Sequence, residues 1–246
     1  FGLIEGSSDG WSALWIGAII AGAIVFAGFV WRQARTAEPL LPRTLLANRG
    51  FTAGLIVGLL VFAGFSGLMY VISLFFQLGL GYTPTQTSLN LIPLTIGIMG
   101  GSGIAAVLVV KLARRLVVLG LVAILAGIGI MLAFIQTAGL GLEWWQAGVA
   151  TLLMGLGAGI CFSSIFNTAL GDVDAHEAGS ASGSLSAVQQ VANGIGSALV
   201  TSIFLTLLPS GDIEAASTTL VVLLVLVAAC LLVVPLLPRT AVADIE

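Results

Sequence analysis

The chain has 246 residues, 59% of them hydrophobic and only 8% charged, with a formal net charge of -3 and a mean hydropathy of +1.16. A soluble globular domain carries roughly 25% charged residues, so water is excluded as the solvent for most of this chain. Eight Lys and Arg against eleven Asp and Glu are too few to neutralise a nucleic-acid backbone, which excludes nucleic acid as a partner.

A helix that crosses a bilayer needs about 20 mostly apolar residues, and seven such runs follow one another along the chain. The first, residues 12–31, follows an acidic stretch from Glu5 to Asp9, and the chain begins at Phe1. A secretory signal would place basic residues there, so the start is expected to be internal to a longer protein. A break with Arg32, Arg35, Arg43 and Arg49 leads to the second span, residues 51–76, where Ser66, Tyr70, Ser73 and Gln77 share one helical face beside Phe62 and Phe65. The third span, residues 87–110, carries Asn90, Pro93 and Gly97; Lys111, Arg114 and Arg115 separate it from the fourth, residues 116–136, which has almost no polar residue.

Glu143, Trp144 and Trp145 introduce the fifth span, residues 145–166, which runs out through Ser163, Ser164, Asn167 and Thr168 into an acidic loop. That loop holds His176 beside Glu177, but Ser180 stands where a zinc-protease motif needs its second His, so a solvated histidine is expected. In the sixth span, residues 182–208, Ser186, Gln190, Asn193, Ser197 and Thr201 line one face, with Gln189 alongside. The stripe extends about 22 Å along the axis, longer than one interhelical hydrogen bond requires. The seventh span, residues 218–237, is uniformly apolar and is expected to face lipid.

If direction alternates, every Lys and Arg falls on one side of the membrane, which the positive-inside rule makes cytoplasmic. The N-terminus is then outside and the C-terminus inside, with Trp11, Trp15, Tyr82, Trp144 and Trp145 as an outer aromatic belt. The pairs Gly54 and Gly58, Gly97 and Gly101, and Gly155 and Gly159 have the small-xxx-small spacing of close helix packing. Polarity alone puts spans two, three, five and six around a cavity and packs four and seven outside. Its candidate lining residues are Phe62, Phe65, Ser66, Tyr70, Ser73, Gln77, Asn90, Asn167, Ser186, Gln189, Gln190, Asn193 and Ser197. The alternative for each polar stripe is hydrogen-bond glue between helices.

No Asp, Glu, Lys, Arg or His lies in the core of a span, so this segment offers no proton-coupling group. Cys161 and Cys230 sit in apolar runs without ligand partners; neither a disulfide framework nor a zinc site is indicated. No nucleophile elbow, phosphate loop or intramembrane carboxylate pair is present, so no enzyme, cofactor or metal is expected. A seven-helix receptor or sensor is the rival on topology. A retinal protein would need an intramembrane Schiff-base Lys, which the last span lacks.

The order of these features resembles the major facilitator superfamily, and within it the fourteen-helix drug:proton antiporter branch. The resemblance rests on Ala34-Arg35-Thr36-Ala37-Glu38-Pro39-Leu40-Leu41-Pro42 running into Asn48-Arg49-Gly50-Phe51, similar to the cytoplasmic link after that branch's two extra central helices. It rests also on Gly81-Tyr82-Thr83-Pro84 through Leu91-Ile92-Pro93, and on Gly179-Ser180-Ala181-Ser182-Gly183 through Gln189-Gln190 and Asn193-Gly194-Ile195-Gly196. Where the family often keeps a Gly-x-x-x-Asp-Arg-x-Gly-Arg gating loop, this chain reads Val110-Lys111-Leu112-Ala113-Arg114-Arg115-Leu116, so gating contacts do not carry over.

The resemblance implies an all-α membrane protein of seven transmembrane helices: one extra helix (residues 1–33), a cytoplasmic linker (34–50) and a six-helix C-terminal transporter bundle (51–246). It implies the C-terminal half of a multi-pass cell-membrane transporter that exports lipophilic, often cationic, drugs or metabolites in exchange for protons by alternating access. The implied partners are a small lipophilic substrate, membrane lipid and an N-terminal bundle that this sequence does not contain. A half that pairs with a separately encoded partner is a third possibility.

Overall fold

The computed structural model describes residues 13–36, 42–112, 114–171, 173–174 and 176–237. Glu5, Asp9, Trp11, linker residues 37–41, Asp172 and Arg239, which entered the orientation and linker readings, lie outside them. Among the described residues there is no strand. The helices are α1 (Ala13–Arg35), α2 (Arg43–Ala47), α3 (Arg49–Leu74), α4 (Pro84–Asn90), α5 (Ile92–Leu112), α6 (Arg114–Ala138), α7 (Trp144–Leu170), α8 (Ala178–Leu207) and α9 (Asp212–Val233).

Six stretches are long and apolar enough to cross a membrane: Arg49–Gly79, Pro84–Val109, Arg114–Gly141, Trp144–Leu170, Ala178–Ser210 and Asp212–Leu236. The expected count of seven is therefore met at six among the described residues. The first expected span does form α1, but its apolar stretch, Ile19–Gln33, is shorter. Most of α1's described side chains are exposed.

Local chemistry sets the helix ends. The Asn48 side chain accepts hydrogen bonds from the backbone N–H of Gly50 (2.9 Å) and Phe51 (3.1 Å), capping α3. Thr83 and Gln86 form a capping box at the start of α4, with Pro84 in its first turn. Glu143 and Gln146 do the same for α7. At its far end α3 widens into a π-helical turn, Phe75–Gly79, which sequence periodicity did not anticipate. Gly211, at φ +121°, reverses the chain between α8 and α9 in a conformation L side chains rarely adopt.

α7 is the hub. It lies parallel to α5 with the two backbones in contact: a Cβ on Gly97 would fall on Leu152 O, on Gly101 on Leu156 O, on Gly155 on Leu94 O, and on Gly159 on Ile98 O. The two small-residue pairs foreseen on separate spans thus meet each other. Antiparallel α6 closes on the next face of α7, where Gly157 meets Gly120 O and Gly127 faces Ala150 O. α3 and α8 form a second close pair through Gly196 against Ala63 O and Gly67 against Val200. α9 touches α6, α3 and α8, whereas α7 and α8 scarcely touch. α6 packs on α7 and contributes no residue to the groove described below, because an apolar face suits a neighbouring helix as well as lipid.

Candidate functional site

Where α8 parts from α7, a groove of about 530 Å³ opens at mid-depth, lined by Phe65, Ser66, Met69 and Tyr70 of α3, Phe162 of α7, and Gln189, Gln190, Asn193, Gly194 and Ser197 of α8. Its two main walls are pinned together: Ser66 Oγ donates to Asn193 O at 2.9 Å. Ser197 Oγ is turned back onto Gly194 O at 3.2 Å. The side-chain amides of Gln189, Gln190 and Asn193 and the Tyr70 hydroxyl make no hydrogen bond to another described residue. Buried polar groups left unpaired are costly, and these half-buried and exposed groups are open to water, a ligand or a further part of the protein.

Aromatic packing fixes the far wall. The Phe162 ring lies 4.9 Å from Phe65, edge to face at 86°, and 5.0 Å from Phe62, tilted at 49°. Phe62 is itself 1% exposed and stands behind Phe162 rather than in the groove.

Seven of the candidate residues are therefore brought together: Phe65, Ser66, Tyr70, Gln189, Gln190, Asn193 and Ser197. The others lie elsewhere. Gln77 donates to Ser73 Oγ at 2.9 Å near the π turn; Asn90 is tied to Gln86 O in α4 (2.9 Å) and Asn167 to Ser163 O in α7 (2.7 Å); Ser186 is exposed nearer the start of α8. Among the residues that line this groove none comes from α5, so span three is not one of its walls; its glycine seam turns it onto α7 instead. Three lining residues carried no polar signal. Met69 could have been found by spacing, since positions 66, 69, 70 and 73 share a helical face, and Gly194 adjoins Asn193. Phe162 had no such marker.

Six membrane-length helices, three of which line an uncharged polar groove at mid-depth, are the makings of a polytopic transporter bundle. Residues 2–197 match the family model of the Major Facilitator Superfamily, and the chain belongs to that superfamily. Among curated relatives it is 37% identical over 215 residues to a "Probable actinorhodin transporter" of Streptomyces coelicolor, covering 85% of this chain and 37% of the relative. It is 29% identical over 210 residues to the "Multidrug resistance protein Stp" of Mycobacterium tuberculosis, covering 85% and 38%. It is 26% identical over 219 residues to the "Tetracenomycin C resistance and export protein" of Streptomyces glaucescens, covering 87% and 39%. The chain thus spans less than half the length of these relatives. The family and these relatives are transporters, not enzymes, and nothing in the matches supports the receptor alternative.

Proposed function

We propose that this chain forms the C-terminal part of a proton-coupled exporter of lipophilic drugs or metabolites, of the fourteen-helix type, working by alternating access. The groove between α3, α7 and α8 is one wall of its substrate path. The observation that carries this reading is the set of unpaired amides, Gln189, Gln190 and Asn193, held at mid-depth in a family of transporters. Were they glue between helices of this segment, they would be paired among the described residues. On this reading residues 1–33, which include most of α1, form a seventh span; residues 34–50 link it on the cytoplasmic side to the six-helix bundle of residues 51–246. The opposite wall and the proton-titrating carboxylate belong to an N-terminal bundle outside this sequence, since the span cores here carry no ionisable residue. The N-terminus of the segment faces outward and its C-terminus the cytoplasm.

The test is thiol protection in the intact transporter. Cys161 and Cys230 are both buried and free, so background labelling is low. Asn193→Cys should react with a water-borne maleimide, and an exported drug should slow that reaction. If the introduced thiol reacts at the same rate with and without every exported drug, Asn193 is not in the substrate path.

A further inference from the structure

Short as it is, α2 reaches across the bundle. Leu45 is buried in one cluster with Phe51 of α3 and Ala181 of α8, and Leu55 of α3, Leu170 at the end of α7 and Val173 in the loop beyond it pack against the same cluster. Beside it, Thr44 Oγ1 donates a hydrogen bond to Glu177 Oε1 at 2.5 Å, and Glu177 is the residue on which α8 starts. We propose that α2 is a clamp: it holds the first turn of α8 and the loop after α7 against α3, and it lets go when the gap between α7 and α8 opens at this end. That end is cytoplasmic on the orientation proposed above. The clamp goes beyond the exporter reading, and only the transport arm of its test rests on that reading.

The hold is firm on one side and slight on the other. Towards α3 it runs through the backbone: Asn48 N–H donates to Thr44 O at 3.1 Å and to Leu45 O at 3.2 Å, while the Asn48 side chain caps α3 on Gly50 and Phe51. Thr52 Oγ1 adds a bond to Asn48 O at 3.0 Å, so α2 stays with α3. Towards α8 the hold is one leucine side chain and one exposed hydrogen bond, which water can replace with little net change. Further along, α8 is seated by Leu185, buried with Phe62, Ala169 and Ala192, and by Gly196 against the backbone of Ala63. The stretch that α2 governs therefore lies ahead of Leu185. α7 and α8 scarcely touch, and the groove lies where they part. At this end the cluster around Leu45 draws them together, because Leu170 is the last residue of α7 and Ala181 stands in the first turn of α8. Alternating access requires one end of such a gap to close and open, and a strap of few contacts tied to a fixed helix supplies a two-state element for it.

The experiment uses the intact transporter in proteoliposomes and a panel of lipophilic dyes, Nile red among them. Thr44→Cys with Glu177→Cys is bridged by a short, reducible bis-methanethiosulfonate; the native Cys161 and Cys230 are buried. Bridging should stop dye export, and reduction should restore it. In a second arm, nitroxides on Asn167→Cys and Gly183→Cys report the distance between the end of α7 and the start of α8. Both positions are exposed, and nothing stands within 4 Å of a Cβ at Gly183. Thr44→Val removes the donor at an exposed position and should move the distance distribution to longer values. A pair that does not bridge, export at one rate whether bridged or reduced, or a distribution that Thr44→Val leaves unchanged each overturns the clamp. When the reduced pair exports and bridging makes no difference, the exporter reading stands and the clamp alone is wrong. When neither the reduced pair nor wild type exports any dye of the panel, the exporter reading falls, and the distance arm still decides the clamp.

Discussion

The contact between α5 and α7 makes a sharp prediction at Gly155. A Cβ there would overlap Leu94 O and lie 2.8 Å from Leu94 C and 3.0 Å from Leu94 Cα, where ordinary contact begins at 3.4 Å. The obstacles are backbone atoms, with no rotamer to turn aside, so α5 must retreat by several tenths of an ångström or more. Overpacking of this kind costs about 1–3 kcal/mol, and the seam places it toward the upper end, because retreat also loosens Gly97, Gly101 and Gly159. Alanine recovers about 1 kcal/mol of helix propensity. Gly155→Ala should therefore destabilise by roughly 2 kcal/mol net. Gly129→Ala on α6, where nothing stands within 4 Å of the added Cβ, should be neutral or slightly stabilising. Thermal unfolding of purified protein in detergent, followed by loss of the monodisperse peak, compares the two. Equal melting temperatures would refute backbone contact as the source of the packing.

Asn193→Ala and Gln190→Ala should leave expression and melting temperature near normal, because neither amide is paired, while changing which compounds the full-length transporter exports. Leu226→Ala, on the exposed side of α9, should leave that spectrum alone; a loss of stability in both amide variants with an unchanged spectrum would make the stripe interhelical glue. A Cys placed at Ser210 should react with an impermeant reagent from outside and one at Thr44 only after permeabilisation; the reverse pattern inverts the orientation. The segment alone, reconstituted in liposomes, should transport nothing, and proton-dependent dye efflux by it would refute the need for a second bundle. Leu45→Ala should cost about 2–3 kcal/mol locally, since Leu45 is 1% exposed and packs in a cluster with Phe51 and Ala181; hydrogen exchange at residues 43–47 should accelerate.

Apolar run length made the spans legible, because a membrane forces each one to satisfy its backbone internally. Each of the six agrees with its run to within a few residues, apart from extensions such as the π turn after Leu74. Glycine spacing identified the seam pairs on α5 and α7; Gly120 and Gly157 have no small residue four positions away on their own helices, and the Ala63 and Gly67 pair that meets Gly196 was not singled out. Polarity found the amides of α8, and it misplaced Ser73, Gln77, Asn90 and Asn167 relative to the groove, because a side chain that can reach its own helix's i−4 carbonyl or hydroxyl satisfies itself there. Apolar lining residues such as Phe162 carry no sign in the sequence of which way they face.

The groove lies where it does because the bundle is packed in two ways. α5, α6 and α7 are joined backbone to backbone at glycines, as are α3 and α8, and such seams leave no space for a ligand. Between the two groups α3 meets α7 through the Phe62, Phe65, Phe162 and Phe166 rings beside the groove and through Gly54 against Ala169 nearer the start of α3, while α8 and α7 hardly meet. The groove therefore opens where ring packing replaces the glycine seams, at the boundary that also holds the unpaired amides. The glycine seams thus frame the groove on either side, and the aromatic contact of α3 with α7 sets its far wall.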